Sequence, residues 1–458
     1  MHTSENAWRQ RSTLTRLALI VSACIVALIV TYIDSRLGAT LGFAMANAVV
    51  TPSWVMKQIG RRLVNNLKFA ANVQRSYDGQ YVQTGAKVGF TVNARLPQRY
   101  KVNKGQALNP QPVIDNVVPI TLTDQANVGI EFSTASLTME VDMYKEKCIA
   151  PAVDSLINAV DHDGLERMYQ GVFWTVGTPG TVPAGASANS TYLAAGVKLD
   201  NAAVPEEDRV AILSSSMHAA LANANVAIFN PANQISEIFR KGQFGKEALG
   251  IKEWYKDQNV HTHTTGPLGG TPTVNGAGQT GSSIITQAWT AAAANRLLKG
   301  DVVQFAGCFA INPQNYVSTG ELMDFVVTAD VDSSGAGAAT IPIYPPLIPA
   351  TGGSALATCT ASPATSAAVT IFSHASTYAN KQSPQGLVYH PEAFALVMAD
   401  LEMPQGLWVS ERISNAALGV AVRFLKDYSI LSDTSPARVD ILYGWKETRP
   451  EMAARVAA

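Results

Sequence analysis

The sequence predicts an α+β protein in which an all-β domain is inserted into a body of mixed helices and strands. The block at about residues 263–385 holds strand-like runs set between and just after two stretches rich in Gly, Ala, Ser, Thr and Pro, at 262–281 and 333–366. On both sides of this block, helical periodicity alternates with short apolar runs. A chain of 458 residues has room for two or three domains, since single cores stop growing at roughly 250 to 300 residues. One insertion into one body fits this length.

Charge is distributed unevenly along the chain, although the formal net charge is only −1. Residues 45–104 contain ten Lys and Arg against a single acid, Asp78, so residues 105–458 sum to about −12. With 15% charged and 47% hydrophobic residues, the composition as a whole is that of an ordinary globular protein. The chain therefore has a basic front and an acidic body.

The stretch 17–33 near the N-terminus has 17 uncharged residues and follows three arginines. A membrane-spanning helix needs about 17 to 25 apolar residues, so this stretch is at the short limit of a signal anchor with a cytoplasmic N-terminus. A buried helix is the second interpretation. The third is translation of DNA upstream of the true start, and Met45 follows as a plausible first residue.

Two features make up the basic front. Apolar residues at every fourth position from Val55 to Leu67 predict a short amphipathic helix over Trp54–Leu67. The polar, glycine-containing stretch Tyr77–Asn116 alternates like a strand pair and predicts an extended hairpin, which would be only marginally stable without a partner to lie on.

The body elements follow in order along the chain. A strand-like run from Val118 leads into a helical stripe within Asp142–Tyr169, where Pro151 starts or kinks the helix. Further predictions are a helix at Asp208–Asn225, a buried strand at Val226–Pro231, a helix-like run at His390–Leu401 and closing strands at Val420–Leu431 and Val439–Trp445.

Motifs for catalysis and for cofactors are weak throughout. GAGQTG at Gly276–Gly281 matches the dinucleotide pattern, but a strand-like run follows it where the nucleotide site needs a helix. His261 and His263 lack the further ligands that a zinc ion needs, so a loop pair is favoured, and local polar bonding accounts for His162. The four cysteines form no CxxC and indicate neither a zinc ribbon nor a disulfide framework. We therefore predict no enzyme, no cofactor and no metal.

The basic front has two interpretations. A nucleic-acid surface would need groove-reading or stacking elements, and few aromatic residues are nearby. Arms that lie across the acidic bodies of neighbouring copies account for both the charge asymmetry and the unsupported hairpin, and we favour this interpretation. The predicted inter-subunit contact residues are Arg61, Arg62, Lys68, Arg75, Lys87, Arg95, Arg99, Lys101 and Lys104.

Four segments in order carry a resemblance to a known family. They are LLKGDVVQFAGCFAINPQ (Leu297–Gln314), ATIPIYPPLI (Ala339–Ile348), YHPEAFALVMADLEMP (Tyr389–Pro404) and LYGWKETRPEMAARV (Leu442–Val456). From about Met45 to the C-terminus, the chain resembles the major coat (capsid) protein of short-tailed bacteriophages, the type with an inserted β domain.

The resemblance implies the fold of tailed-bacteriophage major capsid proteins, the Hong Kong phage type, with an inserted all-β domain. The implied divisions are an N-terminal arm at 45–76, an extended loop at 77–116, a peripheral domain with a long helix at 117–207, an axial domain at 208–262 and 386–458, and the insertion at 263–385. It also implies copies that self-assemble as pentamers and hexamers into an icosahedral head shell. The implied partners are a scaffolding protein, a portal and packaged double-stranded DNA, enclosed without sequence specificity, and no small-molecule substrate. Assembly in the host cytoplasm and a place in the virion follow.

Residues 1–44 depart from that family, because a membrane anchor opposes free assembly. We therefore expect the leader to lie upstream of the true start at Met45. The alternative function is a membrane-anchored surface or adhesin-like β protein, which would use the anchor and the Ser/Thr/Gly-rich linkers.

Overall fold

The computed structural model describes residues 68–77, 91–102, 104–106, 110–111, 113, 115–133, 150–225, 248–371, 378–415 and 420–458. The predicted leader, the helix at Trp54–Leu67, most of the arm, residues 78–90 of the predicted hairpin and the whole of the predicted strand Val226–Pro231 lie outside the described residues.

The helices of the described residues are α1 (Ala150–Met168), α2 (Ala186–Asn201) and α3 (Ser215–Asn225). Their strands before the insertion are β1 (Thr91–Arg95), β2 (Val117–Thr121), β3 (Asp124–Ser133), β4 (Trp174–Gly177), β5 (Val210–Leu213), β6 (Glu253–Lys256) and β7 (Thr262–Thr264). Those of the insertion are β8 (Gly270–Val274), β9 (Gly281–Trp289), β10 (Ala294–Leu297), β11 (Val302–Ile311), β12 (Ser318–Val327), β13 (Val331–Ser333), β14 (Ala339–Leu347) and β15 (Val369–Ile371). The chain ends with β16 (Gln382–Tyr389), β17 (Phe394–Ala399), β18 (Val409–Asn415), β19 (Val420–Lys426), β20 (Thr434–Glu447) and β21 (Ala453–Ala457).

One sheet of the body has the strand order β4-β21-β16-β5-β6, with β7 also paired to β16. The β21/β4 and β5/β6 pairs are parallel and the others antiparallel. Helix α2 packs on β4 and β21. All four residues of β5 and all five of β21 are buried, as expected for strands covered on both faces.

The second sheet of the body has the order β17-β20-β19-β18, and β3 pairs with β20 along ten residues. Helix α1 packs on β3 and β20. A side chain on Gly164 of α1 would come within 2.5 Å of the Trp445 ring, so glycine lets the helix approach β20 this closely. Strands from both ends of the chain thus share one sheet.

The inserted domain is built on a six-stranded sheet with the order β15-β11-β12-β14-β9-β8, beside a separate β10/β13 pair. Phe305 and Phe325 of adjacent strands are fully buried, with ring centroids 5.5 Å apart. The sheet spans Gly270–Ile371, inside the predicted block 263–385, where the sequence predicted strand-like runs. The prediction of an α+β body with an inserted all-β domain is confirmed.

Two helix predictions are wrong. Asp208–Asn225 contains strand β5 before helix α3 begins, and His390–Leu401 contains strand β17 after a 3-10 turn at Pro391–Ala393. All residues of both strands are buried, and a short, fully apolar run has no periodicity that separates strand from helix. Both runs are strands because β5 pairs with β16 and β17 pairs with β20. Helix α2 was not predicted, and α1 confirms the described part of the predicted helix at Asp142–Tyr169.

The dinucleotide-like motif Gly276–Gly281 connects the antiparallel strands β8 and β9, as the strand-like flank indicated. Gly276, Gly278 and Gly281 have φ of 94°, 73° and 97°, values that favour glycine in a turn. The motif is therefore a hairpin connection. Among the described residues, no helix is long and apolar enough to cross a membrane.

Candidate assembly surface and its anchoring junctions

We call residues 91–121 the extended segment; its base is the antiparallel pair β1/β2. It includes residues 91–116 of the predicted hairpin, but its second strand, β2, lies just beyond the predicted end at Asn116. Val92 and Ala94 point inward and are buried, and so is Ile120 on β2. Ala94 and Ile120 belong to an apolar cluster with Ala395 and Val397 of β17. The base therefore rests on the second body sheet, which supplies the support that an isolated hairpin lacks.

Beyond this base, the extended segment carries exposed basic and exposed apolar side chains together. The side chain of Arg95 is 81% exposed and lies 3.9 Å from Asp115, a pair too open to contribute much stability. Lys104 is exposed, and so are Tyr100 and Val102, the latter at 84%. Exposed apolar side chains beside cations are typical of a surface that another protein covers.

Part of the segment folds back on its own chain. Arg99 Nη2 lies 3.5 Å from Glu451 Oε1, and the Lys101 ammonium lies 5.7 Å from the centroid of the Tyr316 ring in the inserted domain. The side chain of Gln111 bonds both backbone groups of Lys101, at 2.9 and 2.5 Å. Through these contacts the segment lies against both the body and the inserted domain.

The nine predicted contact residues thus fall into three groups. Arg95, Arg99, Lys101 and Lys104 lie on the extended segment, whereas Arg61, Arg62 and Lys87 lie outside the described residues. Lys68 and Arg75 belong to the body: both are partly buried, and Lys68 Nζ donates to the Lys256 carbonyl at 2.6 Å. For all nine residues, contact with another copy of the chain remains a prediction.

Residues Lys68–Ala70, the arm root, are held by one buried carboxylate of α1. Asp161 accepts hydrogen bonds from the backbone N–H groups of all three residues, with donor–acceptor distances of 2.9, 3.4 and 3.1 Å. Asp161 is 2% exposed. A carboxylate with three N–H donors binds the start of the 3-10 turn at Ala70–Asn72 as an N-terminal cap does. A cavity of about 600 Å³, lined by polar groups including Lys68 and Asp161, lies beside this contact.

Phe69 is the apolar half of the same anchor. Its side chain has no exposed surface and stacks on Trp445, with ring centroids 5.0 Å apart. Tyr389 and Phe394 contact it edge to face at 5.6 and 5.7 Å. Gln74 then forms a parallel bridge with Ala395 at the edge of β17. The arm therefore enters the body through a well-packed aromatic cluster.

Burial raises the pKa of Asp161 to about 6, against the opposing effect of its three backbone donors, and nearby Asp257 raises it further. Because the folded state then binds a proton that the unfolded state releases near pH 4, stability falls as the pH rises from about 4 to about 6. We expect the free energy of unfolding to drop by about 3 kcal/mol over this interval relative to Asp161→Asn, which does not titrate. Urea unfolding of both proteins at pH 4 and pH 7 measures this difference. Equal changes in the two proteins would contradict it.

A second buried carboxylate, Asp324 on β12, joins the inserted domain to the body. Its Oδ2 accepts from the backbone N–H of Thr175 on β4 at 3.1 Å and pairs with the Lys198 ammonium of α2. Its Oδ1 accepts from Gln304 Nε2 on neighbouring β11 at 2.6 Å. Asp324 is 1% exposed, so these partners, in place of water, stabilise the charge of its carboxylate.

Arg455 on β21 is the largest fully buried side chain among the described residues. Its Nε donates to Thr175 Oγ1 at 2.8 Å, and Nη2 donates to the Gly300 carbonyl, just before β11, at 2.6 Å. Burial lowers the pKa of Arg455 to about 10, while Tyr169, Asp301 and Asp324 oppose that shift. The guanidinium therefore remains charged at neutral pH and bridges the body and the insertion.

His263 completes this junction from β7. Its Nδ1 lies 3.1 Å from the Tyr169 hydroxyl and its Nε2 lies 2.9 Å from Asp301 Oδ1. The backbone N–H groups of Gly266 and Leu298 donate to the other Asp301 oxygen at 3.1 and 2.8 Å. The two histidines that the sequence predicted as a loop pair thus differ. His263 is a strand residue in a buried hydrogen-bond network, and the His261 imidazole stacks on the Tyr169 ring. No spacing in the sequence indicated Asp301 as the partner of His263, or Asp324 as the partner of Lys198.

His162, Asp163 and Glu166 of α1 are the one group within the described ranges whose geometry could hold a metal ion, with ligand atoms within 4.8 Å of one another. Asp163 already accepts from the Tyr443 hydroxyl at 2.5 Å, and Arg167 lies 3.7 Å away. The carboxylate therefore has protein partners that account for its position.

The chain is similar to known coat proteins. The family model "P22 coat protein - gene protein 5" matches residues 45–455. No curated protein matches the chain. Among solved structures, that of Mycobacterium phage Che8 is 12% identical, covering 85% of this chain and 90% of that one, with a TM-score of 0.45. The capsid of Ralstonia phage GP4 is 10% identical, with 85% and 88% covered and a TM-score of 0.39. The CUS-3 coat protein I-domain is 24% identical over 22% of this chain and 96% of that one, with a TM-score of 0.18.

Proposed function

The chain belongs to the P22 coat protein family, and from this premise we propose that its copies join as pentamers and hexamers through the extended segment. Membership makes it a major capsid protein, which forms the shell of a virion and has a structural role. This confirms the coat-protein prediction. The alternative of a membrane-anchored surface or adhesin-like protein has no support from the family match.

The proposal for the extended segment rests on one observation: basic and apolar side chains are exposed together beyond a firmly packed base. Arg95 and Lys104 supply charge, and Val102 and Val113, 84% and 75% exposed, supply apolar area. Since residues 105–458 carry about −12, a neighbouring copy offers acidic surface to this segment. The exposed acids Glu206 and Glu207 before β5 are one such surface.

We further propose the remaining roles that the family resemblance implies. The arm at 45–76 and the loop at 77–116 would lock neighbours together, and the insertion at 263–385 would be a separate domain on the body. A scaffolding protein and a portal would assist assembly in the host cytoplasm, and double-stranded DNA would be enclosed without sequence specificity. The charged contacts at the base of the insertion support a domain that is held in a defined position.

Charge reversal tests the role of the extended segment. Cells that co-express Arg95→Glu/Lys104→Glu with the scaffolding protein are expected to yield at least about ten-fold fewer closed shells than the wild type, because like charges then face each other. Electron microscopy and sedimentation of the lysate count the shells.

The control for this experiment is Lys381→Glu, which reverses an exposed charge outside the segment and is expected to leave the yield unchanged. Thermal unfolding of the three unassembled proteins shows whether each chain folds. A correctly folded double variant that assembles as well as the wild type would overturn the proposal.

A further inference from the structure

Cys308 and Cys359 are brought together in the inserted domain. Cys308 lies on β11, and Cys359 lies in the connection between β14 and β15. An antiparallel bridge joins Ala310 to Cys359, and the Thr360 N–H donates to the Phe309 carbonyl at 3.0 Å. The connection therefore runs beside β11 as a short extra strand. In this register the two cysteine side chains are diagonal neighbours on one face.

The two thiols share their surroundings. Cys308 Sγ lies 3.2 Å from the Ala361 carbonyl oxygen, and Cys359 Sγ lies 3.5 Å from the same oxygen. Neither side chain has exposed surface, and both cysteines are free. Because both sulfurs approach the same carbonyl oxygen, a movement of the connection that carries Cys359 can bring them to bonding distance.

We propose that Cys308 and Cys359 are a covalent modification site, at which a peroxide oxidises the two thiols to a disulfide that ties β11 to the β14–β15 connection. The proposal goes beyond shell formation and does not depend on it. A shell released from its host leaves a reducing compartment, in which thiols persist, for one in which disulfides persist.

The contacts of the two thiols set the order of the reaction. Cys308 Sγ donates to the Ala361 carbonyl at 3.2 Å, whereas the contacts of Cys359 Sγ with the Ala361 and Ile348 carbonyls are longer, at 3.5 and 3.7 Å. Cys308 therefore holds its proton more firmly, and the interaction between the two thiols likewise raises the pKa of Cys308 and lowers the pKa of Cys359. The thiolate is the nucleophilic form of cysteine, so Cys359 reacts first.

The two steps balance as follows. The Cys359 thiolate attacks one oxygen of hydrogen peroxide, forming an S–O bond while the O–O bond breaks, and the hydroxide released becomes water. The Cys308 sulfur then attacks the sulfur of this sulfenic acid, forming the S–S bond. The S–O bond breaks, and the departing hydroxide takes the Cys308 proton. Two thiols lose two electrons and two protons, and the peroxide is reduced to two waters.

The test uses the full chain treated with hydrogen peroxide at neutral pH, then denatured, alkylated and digested. We expect a peptide pair linked through Cys308 and Cys359, and an intact mass lower by about 2 Da in a Cys24→Ser/Cys148→Ser background that leaves only this pair. We also expect a melting temperature at least about 5 °C higher, because the link closes a long loop of the unfolded chain. Sulfinic or sulfonic acid at both positions without a link would overturn the proposal, as would a link to Cys24 or Cys148 in its place.

Trapping of the intermediate tests the order of the steps. With Cys308→Ser, the sulfenic acid on Cys359 has no resolving thiol, so dimedone is expected to label Cys359. With Cys359→Ser, Cys308 is expected to remain unlabelled. Equal labelling of both variants would refute the assignment of Cys359 as the nucleophile. The peptide map of the unsubstituted pair decides the disulfide itself even if a serine variant does not fold.

Discussion

Asp324→Asn is expected to lower the free energy of unfolding by about 3 kcal/mol, because it removes a buried carboxylate charge and leaves the partly buried Lys198 ammonium without its charged partner. The carboxylate also balances the charge of Arg455 at the same junction. Urea unfolding followed by tryptophan fluorescence measures the loss. Because the carboxylate joins two parts of the chain, proteolysis at the base of the inserted domain is expected to accelerate as well.

The matched control is Asp332→Asn, an exposed acid on β13 of the same domain, for which we expect a change within about 0.5 kcal/mol. A double-mutant cycle with Lys198→Met isolates the ion pair and is expected to give a coupling energy of at least about 1 kcal/mol. Equal effects of the two Asp→Asn changes, or a coupling energy near zero, would show that the pair does not hold the insertion in place.

Phe69→Ala is expected to destabilise the chain by about 3 to 5 kcal/mol, since it removes a fully buried ring from contact with three other aromatic side chains. The measurement is again urea unfolding. In addition, trypsin is expected to cut faster after Lys68, because the arm root loses the packing that holds it while Asp161 keeps only the backbone contacts.

Phe309→Ala provides the comparison, because this phenylalanine is 38% exposed on β11 and leaves no closed cavity when truncated. We expect it to cost less than about 1.5 kcal/mol. If the two substitutions cost the same, the aromatic cluster would not be the anchor of the arm. A load on the arm in an assembled shell would then pass to the body through other contacts.

The arm root, the extended segment and the inserted domain share one design. Each is held to the body by a compact buried contact: Phe69 and Asp161 at the arm, Ala94 and Ile120 at the segment, Asp324 and Arg455 at the insertion. The arm and the extended segment, which we propose to contact neighbouring copies, can transmit force only if they are fixed at their base. The described contacts meet this requirement.

For the candidate surface, the sequence was informative where charge decides position. The excess of Arg and Lys over acids predicted residues that contact neighbouring copies, and Arg95, Arg99 and Lys104 are exposed on the extended segment, as such contacts require. Lys68 has the same charge but lies at the buried arm root, because Phe69 beside it is drawn into the aromatic cluster. The charge pattern of a sequence does not show which basic residue lies next to a side chain that becomes buried.

The sequence by itself determined the family, the α+β class and several strands of the inserted domain, among them β11, β12, β14 and β15, since alternation, turn residues and ordered motifs are local signals. Only the tertiary structure decided that the apolar runs at β5 and β17 are strands, because pairing with distant strands selects between two equally apolar options. It alone also decided the partners of Asp161, Asp324, His263 and the cysteine pair. Those contacts join residues far apart in the chain, and local patterns hold no information about which distant group will replace water around a buried charge.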